Sequence, residues 1–270
     1  MAYYEALGLK KEPFSMSPDP LFFYRSSAHE SALQRLEISI RMKRGLSLIL
    51  GDVGTGKTTL GRVLARGFEG EPDFEFHLIL NPLFQSEFQF LEHLCKIFRV
   101  PGPLRSTMDC LEGIQERLYQ RGVTEGKTTV LVIDEGQNLT GSLIEALRSL
   151  LNYETNEHKL LQLVVMAQLE ALPRFARIRN FMDRVNLKYT INAFDLEETR
   201  RMIRFRLAQA GLSSGTLLTD EAVAVLHERS GGYPRQINFL CQKVMESMAA
   251  AGRRAADAAL VENVCAQSLR

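Results

Sequence analysis

The sequence of 270 residues predicts an α/β protein with a parallel sheet core and a second, helical domain. Short apolar runs, such as LSLIL and LQLVVMA, alternate with stretches of helical spacing through most of the chain. Strands that are apolar on both faces are typical of parallel sheets covered by helices on both sides. From Asp195 onward the pattern is helical only, so we predict domains at 1–194 and 195–270.

The elements of the first domain start with an N-terminal arm of about thirty residues, which is rich in aromatic residues and in prolines that forbid a continuous helix. The helix HESALQRLEISIRMKRG follows and ends at Gly45. The next predicted elements are, in chain order, the strand LSLIL, the helix TLGRVLARGF, the strand FEFHLIL, helices around FQFLEHLCKIF and MDCLEGIQERLYQRG, the strand TTVLVIDE, the helix SLIEALRSLLNYE, and the strands KLLQLVVMAQ and KYTI. The predicted helices of the second domain are DLEETRRMIRFRLAQAG, TDEAVAVLHERSGG and YPRQINFLCQKVMESMAAAG.

Composition and charge limit the possible classes of protein. With 45% hydrophobic and 24% charged residues the chain is expected to fold, and its 33 basic and 32 acidic residues leave a net charge of only +1. No overall field therefore recruits nucleic acid, which leaves the local basic clusters RRMIRFR and GRR as the segments that could contact DNA. Acidic residues elsewhere balance both clusters, and we interpret the arginines of RRMIRFR as the solvated face of a helix. In the first cluster Met202, Ile203 and Phe205 predict packing within the helical domain.

Targeting signals and metal-ligand patterns are also missing from the sequence. The N-terminus does not resemble a secretory signal, and the apolar runs are far shorter than the ~20 residues of a membrane helix. The four cysteines are widely spaced and form no metal-ligand pattern. We therefore expect reduced thiols in a cytoplasmic protein without a transmembrane segment.

The stretch GDVGTGKTT, residues 51–59, matches the phosphate-loop pattern GxxxxGK[ST] at full spacing. It follows one predicted strand and opens the next predicted helix, as a P-loop NTPase fold requires. Glycines let backbone amides turn toward a phosphate, and the helix N-terminus adds a partial positive charge. The residues predicted to bind ATP are Gly51, Val53, Gly54, Thr55, Gly56, Lys57, Thr58 and Thr59. Lys57 would contact the β- and γ-phosphates and Thr58 would ligate Mg2+, the alternative being a glycine-rich turn without a ligand.

Two carboxylates, Asp134 and Glu135, close the apolar strand of VLVIDE. In a phosphate-loop fold Asp134 would hold Mg2+, directly or through water, and Glu135 would orient or deprotonate the attacking water. Taken alone, such a pair is typical of a solvated loop. A kinase would not need a base for water, so the pair together with the phosphate loop favours an ATPase.

Two further polar residues are candidates for contact with the γ-phosphate. Gln168 closes the strand LQLVVMA, where its side chain would point at the γ-phosphate. Arg235 follows GGYP at the start of a helix, from which an arginine could reach the nucleotide. Without the phosphate loop, a solvent-facing amide and a surface charge would be the ordinary interpretations of these two residues.

Together the phosphate loop, the DE strand end, the polar strand end and GYPR resemble an AAA+ ATPase. More narrowly, YEALGLKKEPFSMSPDPLFFYRSSAH, VIDEGQNL, LLQLVVMAQLEAL and GGYPRQIN resemble the ExeA family, the general secretion pathway protein A type of ATPase, over nearly the whole chain. The resemblance implies an ATP-driven homo-oligomer, a ring or filament, with a C-terminal helical lid. It also implies that Arg184 is the finger donated to a neighbour's γ-phosphate. Arg179 is the second candidate, and the structural interpretation of Arg184 is a salt bridge with Asp183.

Three functions agree with these observations. The first is an ATPase that assembles or remodels a cell-envelope machine of the secretion or pilus type, in the cytoplasm or held at the inner membrane by partner proteins. The second is an ATP-dependent DNA-binding regulator of the transposition (TnsC-like) type, and the third is a nucleotide-binding scaffold with weak hydrolysis. Glu135 argues against the scaffold, and the near-neutral charge argues against the DNA regulator. We therefore expect the envelope function.

Overall fold

The computed structural model describes residues 2–16, 19–213 and 215–268. The predicted arm and helical domain also include Met1, Ser17, Pro18, Ser214, Leu269 and Arg270, which lie outside the described residues. The strands are β1 (Leu46–Gly51), β2 (Phe74–Ile79), β3 (Thr128–Ile133), β4 (Leu161–Ala167) and β5 (Val185–Ile191). The α-helices are α1 (Tyr3–Ala6), α2 (Ser27–Arg41), α3 (Lys57–Gly67), α4 (Glu87–Phe98), α5 (Thr107–Tyr119), α6 (Gly141–Leu150), α7 (Leu172–Arg177), α8 (Leu196–Gln209), α9 (Asp220–Ser230), α10 (Pro234–Ala250) and α11 (Ala258–Ser268).

The chain forms two compact units, which we call the sheet unit and the helical unit. The sheet unit consists of Ser31–Gly51 and Leu60–Ile191. The helical unit consists of Met1–Glu30, Asp52–Thr59 and Asn192–Arg270. Both α2 and α3 therefore begin in the helical unit and continue into the sheet unit.

The sheet unit contains one sheet of five strands in the order β2-β3-β4-β1-β5. All four pairings are parallel, which confirms the predicted fold class. The three inner strands, β3, β4 and β1, are buried along their whole length, as their continuous apolar runs predict. The edge strands β2 and β5 are only partly buried. Strand β5 begins at Val185, earlier than predicted, because it pairs with the full length of β1.

Serine and threonine caps start three helices of the sheet unit, because their hydroxyls satisfy backbone amides that have no partner within the helix. Ser86 accepts a hydrogen bond at the start of α4, Ser106 at the start of α5 and Thr140 at the start of α6. The apolar faces of these helices pack into the core of the sheet unit. Among the described residues, no helix combines the length and the apolar composition needed to cross a bilayer.

The helical unit has its own apolar core, formed by helices α8 to α11 together with the N-terminal arm. Leu9, Phe14 and Phe22 of the arm are buried in this core. The predicted domain ranges, 1–194 and 195–270, stay a prediction, and the units differ from them by grouping the arm with the C-terminal helices. Helix α11 was not predicted, because AALVENVCAQS buries only three residues and lacks a wide apolar stripe.

Arg206 corrects the interpretation of RRMIRFR as a solvated face. Its side chain is only 7% exposed, and its guanidinium donates to the carbonyls of Pro13 (2.7 Å) and Phe22 (2.9 Å). Burial lowers the pKa of Arg206 to about 10. The prediction fails at this residue because two carbonyls of the arm supply the partners that a buried cation needs. Met202 and Ile203 of the same helix are buried, as predicted.

Candidate functional site

The phosphate loop joins β1 to α3 and requires glycine at two positions. Gly54 and Gly56 have φ values of 83° and 95°, in the left-handed region that favours glycine. A Cβ on Gly54 would lie 2.9 Å from the Cβ of Arg235. A Cβ on Gly56 would lie 3.0 Å from Nε2 of His29. Both backbone conformation and close neighbours therefore exclude larger residues.

The carbonyl oxygen of Asp52 is the main acceptor inside the loop. It accepts hydrogen bonds from the Thr55 hydroxyl and from Nζ of Lys57, both at 2.9 Å. Lys57 is 8% exposed, so its ammonium depends on oxygen partners of this kind. Phosphate oxygens are stronger partners for an ammonium than a neutral carbonyl, because both groups are then charged. The loop therefore fits the phosphates of a nucleotide.

The GGYPR segment, which carries Arg235, contacts this loop directly. The Tyr233 hydroxyl donates to the carboxylate of Asp52 at 2.8 Å, and the Arg235 backbone amide donates to the carbonyl of Gly54 at 3.2 Å. The bond to Asp52 raises the pKa of Tyr233. The segment enters α10 through Gly232, where a Cβ would lie 2.1 Å from the Phe194 carbonyl oxygen. The helical unit thus brings the predicted Arg235 to the phosphate loop, with its side chain exposed.

His29 is a loop contact that the sequence analysis missed. Its Nε2 lies 2.8 Å from the carbonyl oxygen of Thr55, and the ring is buried. No sequence motif connects a residue at the start of α2 with the phosphate loop, so the sequence offered no signal for this contact.

Asp134 and Glu135 follow β3 at the carboxyl edge of the sheet. Asp134 is 2% exposed, and its amide donates to the carbonyl of Ile79 at 2.8 Å, which continues the pairing of β3 with β2. Glu135 adopts the left-handed conformation, with φ of 52° and ψ of 39°, which costs about 1–2 kcal/mol for a residue with a Cβ. The next residue, Gly136, packs so closely on β4 that a Cβ would lie 2.6 Å from Cγ1 of Val165. This tight turn fixes the backbone position from which the Glu135 side chain extends.

Gln137 links the two predicted strand-end residues, Glu135 and Gln168. Its side-chain amide nitrogen donates to the Glu135 carboxylate, and its amide oxygen accepts from the backbone amide of Gln168 at 3.3 Å. The guanidinium of Arg174 donates to the backbone carbonyl of Gln137 at 2.6 Å. The sequence analysis did not single out Gln137, although its place two residues after Glu135 was a usable signal.

The two candidate finger arginines lie in different environments. Arg184 donates to the carbonyl of Leu151 at 3.5 Å, and its Nε is buried without a hydrogen-bond partner among the described residues. No ion pair within 4.0 Å joins Arg184 to Asp183, although the structure describes both residues. Arg179, which follows α7, is exposed. Of the two, Arg179 is the more exposed residue.

An all-parallel sheet whose first strand leads through a phosphate loop into a helix defines a nucleotide-binding protein of the P-loop class. The family profile described as an AAA domain matches residues 40–175. This chain belongs to the AAA domain family.

The chain is also similar in sequence to General secretion pathway protein A of Aeromonas hydrophila, with 33% identity over 252 residues. The match covers 93% of this chain and 45% of that relative, so the chain spans less than half the length of the protein that it matches. Both matches agree with the resemblance described for the sequence.

Solved structures with a similar fold include the ORC1 protein of Aeropyrum pernix in complex with DNA. Its TM-score is 0.67 at 16% identity, over 95% of this chain and 69% of that chain. The RuvB Holliday junction branch migration motor of Thermotoga maritima has a TM-score of 0.60 at 16% identity, over 92% of this chain and 73% of that chain. At such identities the likeness shows the fold alone, and it confirms the AAA+ fold.

Proposed function

We propose that this protein is an ATPase that binds ATP with Mg2+ through its phosphate loop and hydrolyses it with Glu135 as the base. The observation that supports this proposal best is Lys57, a residue only 8% exposed whose Nζ lies 2.9 Å from the Asp52 carbonyl oxygen in a glycine-dependent loop. Burial of a lysine is costly, and the charged oxygens of a phosphate would offset that cost more fully than a neutral carbonyl does.

Groups of the loop, together with Asp134 after β3, would hold the triphosphate and its Mg2+. Backbone amides in the turn around Gly54 and Gly56, together with the N-terminus of α3, would donate to phosphate oxygens. Nζ of Lys57 would pair with the β- and γ-phosphates. The Thr58 hydroxyl and the Asp134 carboxylate would hold Mg2+, which neutralises charge on the phosphate oxygens when bound.

In the reaction Glu135 would accept a proton from water while the water oxygen bonds to the γ-phosphorus. The bond between that phosphorus and the β–γ bridging oxygen breaks, and the products are ADP and phosphate. Gln137 fixes the orientation of the Glu135 carboxylate through its side-chain amide. Gln168 and Arg235 are proposed to contact the γ-phosphate, which would make the two residues sensors of the nucleotide state.

We further propose that hydrolysis requires an arginine from a neighbouring subunit in a homo-oligomer. Arg184 is the predicted donor, and the exposure of Arg179 makes that residue a full alternative. A finger arginine supplied by a neighbour contributes about 10³–10⁵ to the hydrolysis rate. Neither side chain needs to reach a nucleotide bound to its own chain.

Replacing the finger should abolish hydrolysis but not ATP binding. We expect Arg184→Ala or Arg179→Ala to lower kcat by at least about a thousandfold. Arg177→Ala, which removes another exposed arginine, is the matched control and should keep the wild-type kcat.

Wild-type specific activity should rise with protein concentration, because the finger comes from a neighbouring subunit. Mixing the inactive arginine variant with Lys57→Ala protein should restore part of the activity, because each subunit supplies what the other lacks. No recovery with either arginine variant would contradict a finger donated in trans.

We propose that ATP turnover serves the assembly or remodelling of a cell-envelope machine through a protein partner. The similarity to General secretion pathway protein A over 93% of this chain supports this role. The exposed arginines of α8 also pair with acids, Arg201 with Glu197 at 3.2 Å and Arg204 with Asp220 at 3.3 Å. Pairing of this kind leaves little free positive charge for DNA phosphates on this helix.

We therefore expect the protein to bind duplex DNA weakly. A DNA-binding measurement separates the envelope function from the DNA-regulator alternative. The measurement is an anisotropy titration of a labelled duplex between about 50 and 200 mM salt, with and without a non-hydrolysable ATP analogue. We expect no binding tighter than the weak, non-specific range of roughly 1–100 µM. The same titration with Lys57→Ala protein identifies any ATP-dependent part. Tight, ATP-dependent and salt-sensitive binding would overturn the envelope proposal and favour the DNA regulator.

A further inference from the structure

His29 has both of its ring nitrogens engaged although it stands outside every motif of the site. It lies in the first turn of α2 and is 1% exposed. Its Nε2 is 2.8 Å from the Thr55 carbonyl oxygen, and its Nδ1 is 2.8 Å from Oγ of Ser26. Because a carbonyl can only accept, Nε2 carries the proton, and Nδ1 accepts from the Ser26 hydroxyl. Burial lowers the pKa of His29, which agrees with a neutral ring of this one tautomer.

Aromatic neighbours hold the ring in place. Phe23 and Phe194 meet it edge to face, with ring centroids 5.0 and 5.8 Å away and interplanar angles of 77° and 86°. The ring also lies close to Gly56, since a Cβ added at that glycine would be only 3.0 Å from Nε2 of His29. The imidazole thus connects the first turn of α2 to the phosphate loop.

The bond from His29 has a consequence for the next amide of the loop. The Thr55 carbonyl and the Gly56 amide belong to one trans peptide, so the C=O and N–H bonds point in opposite directions. When His29 holds the carbonyl on one side of this peptide, the Gly56 amide must face the other side. Amides of such a loop are the groups that bind phosphate.

We propose that His29 is a positioning residue, which holds the Thr55–Gly56 peptide in the orientation that lets the Gly56 amide donate to a phosphate of the bound nucleotide. This inference rests on the proposed ATP binding by the loop. His29 touches no phosphate itself and acts only through the Thr55 carbonyl. The hydrogen bond adds to the proposed nucleotide site a determinant from the first turn of α2, 26 residues before Thr55 in the chain.

Two substitutions of similar polarity separate positioning from packing. The side-chain nitrogen of His29→Gln can take the place of Nε2 and donate to Thr55, whereas the shorter amide of His29→Asn reaches only the place of Nδ1. Both variants lose the ring contacts with Phe23 and Phe194, so both should lower the melting temperature of the nucleotide-free protein. We expect ATP affinity to stay within about threefold of wild type in His29→Gln and to fall about tenfold in His29→Asn, the range of one hydrogen bond.

The measurements are a titration of a fluorescent ATP analogue with Mg2+, thermal unfolding without nucleotide, and kcat and KM for ATP. Positioning predicts that KM rises in His29→Asn with little change in kcat, and that His29→Gln restores the KM. Equal losses of affinity in both variants, in step with their losses of melting temperature, would show packing alone and overturn the proposal. Wild-type affinity in His29→Asn would overturn it as well.

Lys57→Ala protein, measured in the same titration, distinguishes failure of this inference from failure of the proposed function. If wild type and Lys57→Ala bind the analogue equally, the loop is not the nucleotide site, and both proposals fail. If only Lys57→Ala loses binding while His29→Asn binds as wild type does, ATP binding by the loop stands and the role of His29 is excluded.

Discussion

Lys57→Ala is expected to weaken ATP binding by at least about two orders of magnitude, because charge-assisted hydrogen bonds of about 1.5–3 kcal/mol each are lost. The alanine also removes the buried ammonium that now donates to the Asp52 carbonyl. Since the carbonyl keeps the hydrogen bond from the Thr55 hydroxyl, the loop itself should survive the change. The measurement is a titration with a fluorescent ATP analogue and Mg2+.

Arg66→Ala is the matched control for this substitution, because it removes an exposed cation from the last turn of the same helix, α3. Its affinity for ATP should equal that of wild type, and both variants should unfold in a single transition. Affinity within about tenfold of wild type for Lys57→Ala would mean that one charge-assisted hydrogen bond at most is lost, which contradicts the assigned role.

Glu135→Gln is expected to bind ATP as wild type does and to hydrolyse it about 10²–10⁴ times more slowly, the usual contribution of a general base. Glutamine keeps the size of the side chain and an oxygen that can accept from Gln137, so the turn at Gly136 should not change. Only the capacity to take a proton from water is lost. Binding is measured by titration and hydrolysis by phosphate release.

Glu157→Gln is the control, because Glu157 is exposed and precedes β4, at the amino ends of the strands and not at their carboxyl ends, where Glu135 lies. Its kcat should equal the wild-type value. Hydrolysis at the wild-type rate by Glu135→Gln would exclude Glu135 as the base. A matching loss of ATP affinity would instead assign Glu135 to nucleotide binding.

The sheet and the phosphate loop could be predicted because their signals are local. A strand buried on both faces is a short apolar run in the sequence, and β3 and β4 lie where TTVLVIDE and KLLQLVVMAQ predict them. The phosphate loop needs glycine, lysine and threonine at fixed spacing within nine residues, because one turn must serve one phosphate group. Helix α11 was missed because its own local apolar pattern is weak.

The partners of single side chains could not be predicted, because they come from distant parts of the chain. From the sequence, Arg206 is one more arginine on the exposed face of a charged helix. Only the fold places the carbonyls of Pro13 and Phe22 within hydrogen-bond distance of its guanidinium. Gln137 is one polar residue among many, and only the turn after β3 brings its side chain to Glu135 and Gln168. No spacing rule connects residues such as these.

The sequence by itself determined the parallel α/β class, the phosphate-loop motif and the identity of the carboxylates at the end of β3, since each depends on residues that are neighbours in the chain. Only the tertiary structure decided how the loop is supported. Asp52 accepts a hydrogen bond from Tyr233, 181 residues away, and Thr55 accepts one from His29 of α2. These bonds depend on the packing of the arm and the C-terminal helices around one apolar core, and such packing follows from the burial of many side chains together.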